Sequence, residues 1–188
     1  MSQKNPVQPL NVQYVSKEES NCPLLPKLIE ICKTIQNDMY CTNCRFLVSA
    51  SFGKRIIINA AFESVKRLQR EDFIELIDYN PLSNTLLLLG VKKPLKETAV
   101  HWIVHHAKKE IQLIIQIKNM QNLNRLKQII PYVKIDNQRS PLEKAKKWLR
   151  TLQKNEIFLS NDNLIITASS VKIIKQNIKT IEMELKQT

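Results

Sequence analysis

At 188 residues with an apolar share of 43%, the chain is long enough to close a hydrophobic core, and one compact domain is the expectation. No apolar run reaches the ~18–20 residues that a membrane-spanning helix needs. The opening residues, polar and carrying Glu18 and Glu19, have neither the apolar centre of a secretory signal nor the Arg-rich pattern of a transit peptide. The formal net charge of +12 favours an anionic partner, whereas the presence of only two glycines, Gly53 and Gly90, argues against a phosphate cradle built from backbone N–H groups.

Residues 1–21 contain Pro6 and Pro9 and predict a flexible, polar N-terminal arm, with 22–188 as the folded domain. Leu25, Leu28, Ile29, Cys32 and Ile35 recur at helical spacing, predicting a helix from Pro23 to Asp38. Phe46–Ser49 and Arg55–Asn59 read as strands around a turn at Gly53, and Phe73–Ile77 and Thr85–Leu89 as strands around the turn cluster 78–84. A helix starts near Lys96, with Val100, Ile103, Val104 and Ala107 as its apolar stripe, and Ile111–Ile117 follows as a buried strand. Asn119 caps a short helix carrying Met120, Leu123 and Leu126. Ser140 and Glu143 form a capping box with Pro141 at the first helical position, and Leu142, Ala145, Leu149 and Leu152 give that helix its buried side. Strands Glu156–Leu159 and Leu164–Thr167 precede a last helix, Ser169 to Lys186, with the stripe Val171, Ile174, Ile178, Ile181 and Leu185. This order predicts a mixed α/β domain: a largely antiparallel sheet covered by helices.

Few residue groups carry chemistry. Cys41 and Cys44 form one CxxC, without a second pair at zinc-knuckle spacing, and Cys32 falls on an apolar helix face, so reduced thiols are expected. Glu97, His101 and His105 share one helix stripe; two imidazoles and a carboxylate could bind a metal, but no fourth ligand is evident. A carboxylate favouring the helix dipole, with two ordinary surface histidines, is the simpler reading. Trp102 and Trp148 sit on helices as packing anchors. Between Lys118 and Lys154 ten Lys/Arg face only Asp136 and Glu143. Lys144, Lys146, Lys147 and Arg150 are the candidate contacts to an anion or nucleic acid.

Short blocks spread along the chain resemble the class II aldolase/adducin family, of the L-fuculose-phosphate aldolase type. Leu28-Ile-Glu-Ile-Cys-Lys33 and Asn37-Asp-Met-Tyr40 are similar to its first helix and exit. Arg67-Leu-Gln-Arg-Glu-Asp72 is similar to its "L-x-x-E-D" step, Lys93-Pro-Leu-Lys-Glu97 to "K-P-S-S-E", and Asn155-Glu-Ile-Phe-Leu-Ser-Asn161 to the strand before its late "N-H-G". His101 falls where the family commonly has histidine. The resemblance implies the family's fold from about Leu25 onward, ring-like homotetramers, and, through adducin, a structural use of the fold. It also implies three zinc histidines, which fall here on Gln116, Lys118 and Asp162. The phosphate loops fall on Arg45-Phe-Leu-Val-Ser49 and Asn59-Ala-Ala-Phe62, and the paired serines on Leu95 and Lys96. Glu97 alone matches, at the catalytic acid/base.

Zinc in such enzymes stabilises an enediolate as a Lewis acid and needs lone pairs from its ligands, so lysine and glutamine at two positions remove the site. The expectation is therefore a degenerate, non-catalytic aldolase-like domain without metal or cofactor. It would act as a structural or interaction subunit in a homo-oligomer, a ribonucleoprotein or another large assembly, inside the cell in the cytoplasm or an organelle matrix, the mitochondrion included. The alternatives are an altered lyase-type enzyme using Glu97 with help from His101 or Asp162, and an autonomous RNA-binding protein using residues 118–154.

Overall fold

Runs of consecutive buried residues decide the architecture. Strand β2 (Arg45–Phe52) buries Phe46, Leu47 and Val48 in succession, and β6 (Leu113–Lys118) buries Leu113 to Ile117. Successive side chains on a strand point to opposite faces, so such a sheet must be covered on both sides. The computed structural model describes residues 9–38, 43–121, 123–136 and 140–186. Among these, nine strands form one sheet in the order β1-β5-β4-β3-β2-β6-β9-β8-β7. The remaining strands are β1 (Asn11–Ser16), β3 (Arg55–Asn59), β4 (Phe73–Asn80), β5 (Thr85–Leu89), β7 (Tyr132–Val133), β8 (Ile157–Ser160) and β9 (Asn163–Ala168). All pairings are antiparallel except β1 with β5 and β7 with β8 at the two edges.

Helices α1 (Leu25–Asp38) and α5 (Val171–Lys186) cover one face. Leu28, Cys32 and Ile35 of α1 and Ile174, Ile178 and Ile181 of α5 pack there with Val48, Ile57, Ile115 and Ile166 of the sheet. The short α3 (Leu123–Ile129) joins the same layer through Leu126. The opposite face carries α2 (Glu97–Ala107) and α4 (Pro141–Thr151). Ala99 and Trp102 of α2 pack on Leu47, Ile56 and Ile58, while Val100 and Val104 meet Ala145 and Trp148 of α4 above Ile114, Phe158 and Ile165. The observed architecture is the mixed, largely antiparallel sheet with helical cover that the element order predicts.

Local signals act as expected at two boundaries. Gly53 takes φ 61 in the two-residue turn that closes the β2–β3 hairpin. Ser140 accepts from the backbone N–H of Glu143, and the Glu143 side chain accepts from the N–H of Ser140, with Pro141 behind the cap. Gly90 answers a different need: at φ 146 a Cβ there would stand 2.6 Å from Cγ2 of Ile74.

Five expectations are corrected. The second half of the expected arm belongs to the folded domain: Asn11–Ser16 adds to the sheet edge along β5, where Val12 and Tyr14 have an apolar cluster to pack on. Ser20 is also buried and donates to Glu75 at 2.7 Å, while Arg55 holds the other carboxylate oxygen at 2.8 Å. Asn119 does not cap α3; at φ 60 it turns the chain out of β6, four residues before the helix. The buried side of α4 is Pro141, Ala145, Trp148 and Leu152, with Leu142 exposed, since α4 presses on α2 rather than lying flat on the sheet. Ala107 is likewise exposed at the end of α2. Cys22 and Cys32 are free and buried, and burial pushes the Cys32 thiol up to about 12, but Cys44 takes part in a disulfide. Cys41, residues 1–8 and the side chain of Leu185 lie outside the described residues.

Candidate functional site

The start of α2, the end of β6 and the first turns of α4 meet on one face of the sheet. Glu97 opens α2, half-buried, where its negative charge complements the helix N-terminus. Lys144 reaches the same place from α4. Burial lowers its pKa; the charge of Glu97 opposes that, and Lys96 and Lys118 reinforce it, with Asp136 opposing. Three ammonium groups and two carboxylates are thus electrostatically coupled there. Lys118 also lies over the Phe62 ring, its Nζ 3.7 Å from the centroid. The loop before Phe62 is tied inward: Asn59 accepts from the Val48 N–H at 2.7 Å and donates to the Phe46 carbonyl at 2.8 Å.

Beneath this cluster runs a buried polar chain that the sequence reading missed. His101 and His105 are not surface histidines; both rings are buried under α2. The Ser49 hydroxyl stands 2.8 Å from His101 Nδ1 and 2.8 Å from His105 Nε2. His105 Nδ1 lies 3.0 Å from the Ile111 carbonyl and 3.1 Å from the Ser51 hydroxyl. His101 Nε2 lies 3.3 Å from the Gln116 amide.

Donor and acceptor chemistry orients the chain. A carbonyl only accepts, so His105 Nδ1 carries hydrogen and its Nε2 accepts from Ser49. The Ser49 oxygen then accepts from His101 Nδ1–H. Gln116 Oε1 is the atom that faces His101 Nε2, so a neutral His101 with its hydrogen on Nδ1 bonds Gln116 only with the amide turned to present its NH2 end. Neutrality follows from burial, which lowers His101 to about 3, helped by His105; burial also lowers His105 to about 4. The signal for this chain was present as Ser49 and Ser51 on one strand face opposite histidines one helical turn apart, but it needed the pairing of β2 with α2 to be read.

Other candidates are scattered. Asp162 sits in the β8–β9 turn, largely exposed, 3.5 Å from Lys127. No hydrogen bond or ion pair joins it or His101 to Glu97 among the described residues. Of the four candidate anion contacts, Lys146 and Arg150 are exposed on α4. Lys147 donates to the Lys134 carbonyl at 2.8 Å, and Lys144 is half-buried within the electrostatic reach of Glu97. Trp148 is a packing anchor: its Nε1–H donates to Ser160 at 2.9 Å, and its ring meets Phe158 edge-on. Among the described residues, no three His, Cys, Asp or Glu side chains are grouped to hold a metal.

Neither protein-family models nor curated proteins match this sequence significantly. Solved structures do match. An L-fuculose 1-phosphate aldolase superposes with a TM-score of 0.66 at 12% identity, covering 90% of this chain and 89% of that one. YgbL from Klebsiella pneumoniae does so with 0.65 at 15% identity, covering 87% of each. The N-terminal class II aldolase domain of a Thermoplasma acidophilum protein follows with 0.55 at 9% identity, covering 91% and 95%.

The chain has a class II aldolase-like fold. Of the three positions that the sequence resemblance assigns to zinc histidines, Gln116 is buried and turned to His101, and Lys118 is turned to Phe62. The third is Asp162, on the far side of β9 from β6 in a turn that faces α3.

Proposed function

We propose that this chain is a non-catalytic aldolase-like domain that serves as a structural or interaction subunit of an oligomer, a ribonucleoprotein or another large assembly. One observation carries the reading: the three positions matched to zinc ligands do not fit zinc. The Gln116 amide is engaged with His101, the Lys118 ammonium with Phe62 and the Asp162 carboxylate with Lys127. A tetrahedral site needs three or four convergent lone pairs, and an ammonium offers none. The loop matched to a phosphate-binding segment is likewise spent on the backbone of β2 through Asn59. Exposed Lys146 and Arg150 are the available basic contacts to an acidic protein or RNA.

Metal analysis with an activity assay tests the proposal. The purified protein is expected to bind less than about 0.1 equivalent of zinc per chain, and to leave L-fuculose 1-phosphate uncleaved. Stoichiometric zinc that is lost in Glu97→Gln would overturn it.

The electrostatic influence of Glu97 on a half-buried Lys144 favours one second reading, an altered lyase-type enzyme in which Glu97 is the acid/base. Turnover of a hydroxy-carbonyl substrate that persists with chelator and disappears in both Glu97→Gln and Lys144→Met would select it.

A further inference from the structure

Arg125 lies on α3, the short helix between β6 and β7. Leu123, Leu126 and Ile129 seat that helix on the core shared with α1 and α5. The Arg125 side chain is half-buried, and two of its guanidinium atoms, Nε and Nη2, are fully buried with no acceptor among the described residues.

The choice of those two atoms is informative. In a planar guanidinium the N–H bonds of Nε and Nη2 point the same way along one edge. That edge is the side-on fork that grips both oxygens of a carboxylate or two oxygens of a phosphate. The group cannot escape its burial by losing a proton, because arginine stays charged in proteins. Buried donors on a charged group are ordinarily satisfied, and leaving them without an acceptor is costly. Other cations among the described residues do find carboxylates: Arg55 pairs with Glu75, Lys92 with Asp72 and Lys127 with Asp162. Arg125 departs from that rule, inside the most basic stretch of the sequence, where ten Lys/Arg face two carboxylates.

We propose that the Nε/Nη2 edge of Arg125 is a binding site for one two-oxygen oxyanion, the phosphate or carboxylate group of a ligand. The site lies on the α1/α5 side of the sheet, across it from Glu97 and Lys144, and is independent of whether the aldolase-like site retains any chemistry. The bound anion completes the two missing hydrogen bonds and neutralises the guanidinium charge.

Thermal unfolding of the full chain tests this, with inorganic phosphate or malonate titrated against chloride at constant ionic strength. At least one of the two anions is expected to raise the midpoint saturably, and the arm that does so identifies phosphate or carboxylate as the ligand group. Arg125→Lys keeps the charge but loses the parallel N–H pair, and should weaken the fitted affinity by about tenfold or more. Arg125→Met should abolish the anion effect and, in chloride, unfold no lower than the wild type, because it removes an uncompensated buried charge. Lys127→Gln should leave the affinity within about twofold. A midpoint insensitive to both anions in the wild type, or an equal anion response in wild type, Arg125→Lys and Arg125→Met, overturns the proposal. So does an Arg125→Met protein that unfolds well below wild type in chloride, since the guanidinium would then already be satisfied.

Discussion

Ser49 is the residue on which the α2 side of the sheet turns. Its single hydroxyl joins two imidazoles that burial keeps neutral, and it links the helix to β2. Ser49→Ala leaves the His101 Nδ1–H and the His105 Nε2 lone pair without partners. At about 1–3 kcal/mol for each unsatisfied buried group, urea unfolding should show a loss of about 2–5 kcal/mol. The histidines also set an acid limit. Their folded pKa values, about 3 and about 4, lie below the ordinary 6.5. Between those values the unfolded chain binds more protons than the folded one, so stability falls as pH drops below about 6.5 and keeps falling toward 4. Near pH 5 the penalty is about 2 kcal/mol per histidine. Urea midpoints measured from pH 7.5 to 4.5 should fall with that slope, and His101→Gln should flatten it. This site was poorly legible beforehand. The helical spacing of His101 and His105 was plain, but nothing local says whether a histidine stripe meets water or a strand, and that depends on where α4 sits.

At the scale of elements, local chemistry was read well where it acts within a few residues. The capping box at Ser140 is such a case, because both hydrogen bonds close inside one turn. Ser140→Ala should lower the thermal midpoint by the equivalent of about 1 kcal/mol, and Ser140→Asp should restore it. The element holding the first strand was not readable in the same way. Asn11–Ser16 is polar on alternate positions and short, and its identity as β1 comes from a parallel pairing with a strand more than seventy residues on, between partners such as Val12 and Leu86. Likewise α4 shows the right helix with the wrong face: Trp148 belongs to the buried stripe and Leu142 does not. The helix was specified by its cap and period, but its rotation was set by contact with α2.

At the scale of the molecule, the fold and the proposed use separate. An aldolase-like frame is present at 12% identity, which reflects how many sequences satisfy one pattern of two-sided burial. Surface charge is the property left for partners. If the basic surface binds RNA, reversing Lys146 and Arg150 to Glu should weaken binding at least tenfold at low salt and flatten the dependence of log affinity on log salt. The same double substitution should change unfolding by under about 0.5 kcal/mol, as both side chains are exposed. Salt-insensitive binding, or none, removes RNA from the proposal and leaves an acidic protein surface or self-association, which sedimentation distinguishes.

By itself the sequence determined the order of the helices and of the strands other than the edge strands β1 and β7, the hairpin at Gly53, the cap at Ser140 and the mixed sheet under helices. Periodicity, turn residues and caps are interactions between near neighbours, and they are written in adjacent letters. It also named Gln116, Lys118 and Asp162 as the residues that the resemblance sets at zinc positions. Only the tertiary structure decided what those residues do instead: Gln116 bonds a buried histidine, Lys118 covers Phe62 and Asp162 meets Lys127. It alone buried His101 and His105 around Ser49 and left one edge of Arg125 without an acceptor. Burial is a property of the packed whole, and it is burial that makes a hydroxyl, an imidazole or a guanidinium costly to leave unpaired.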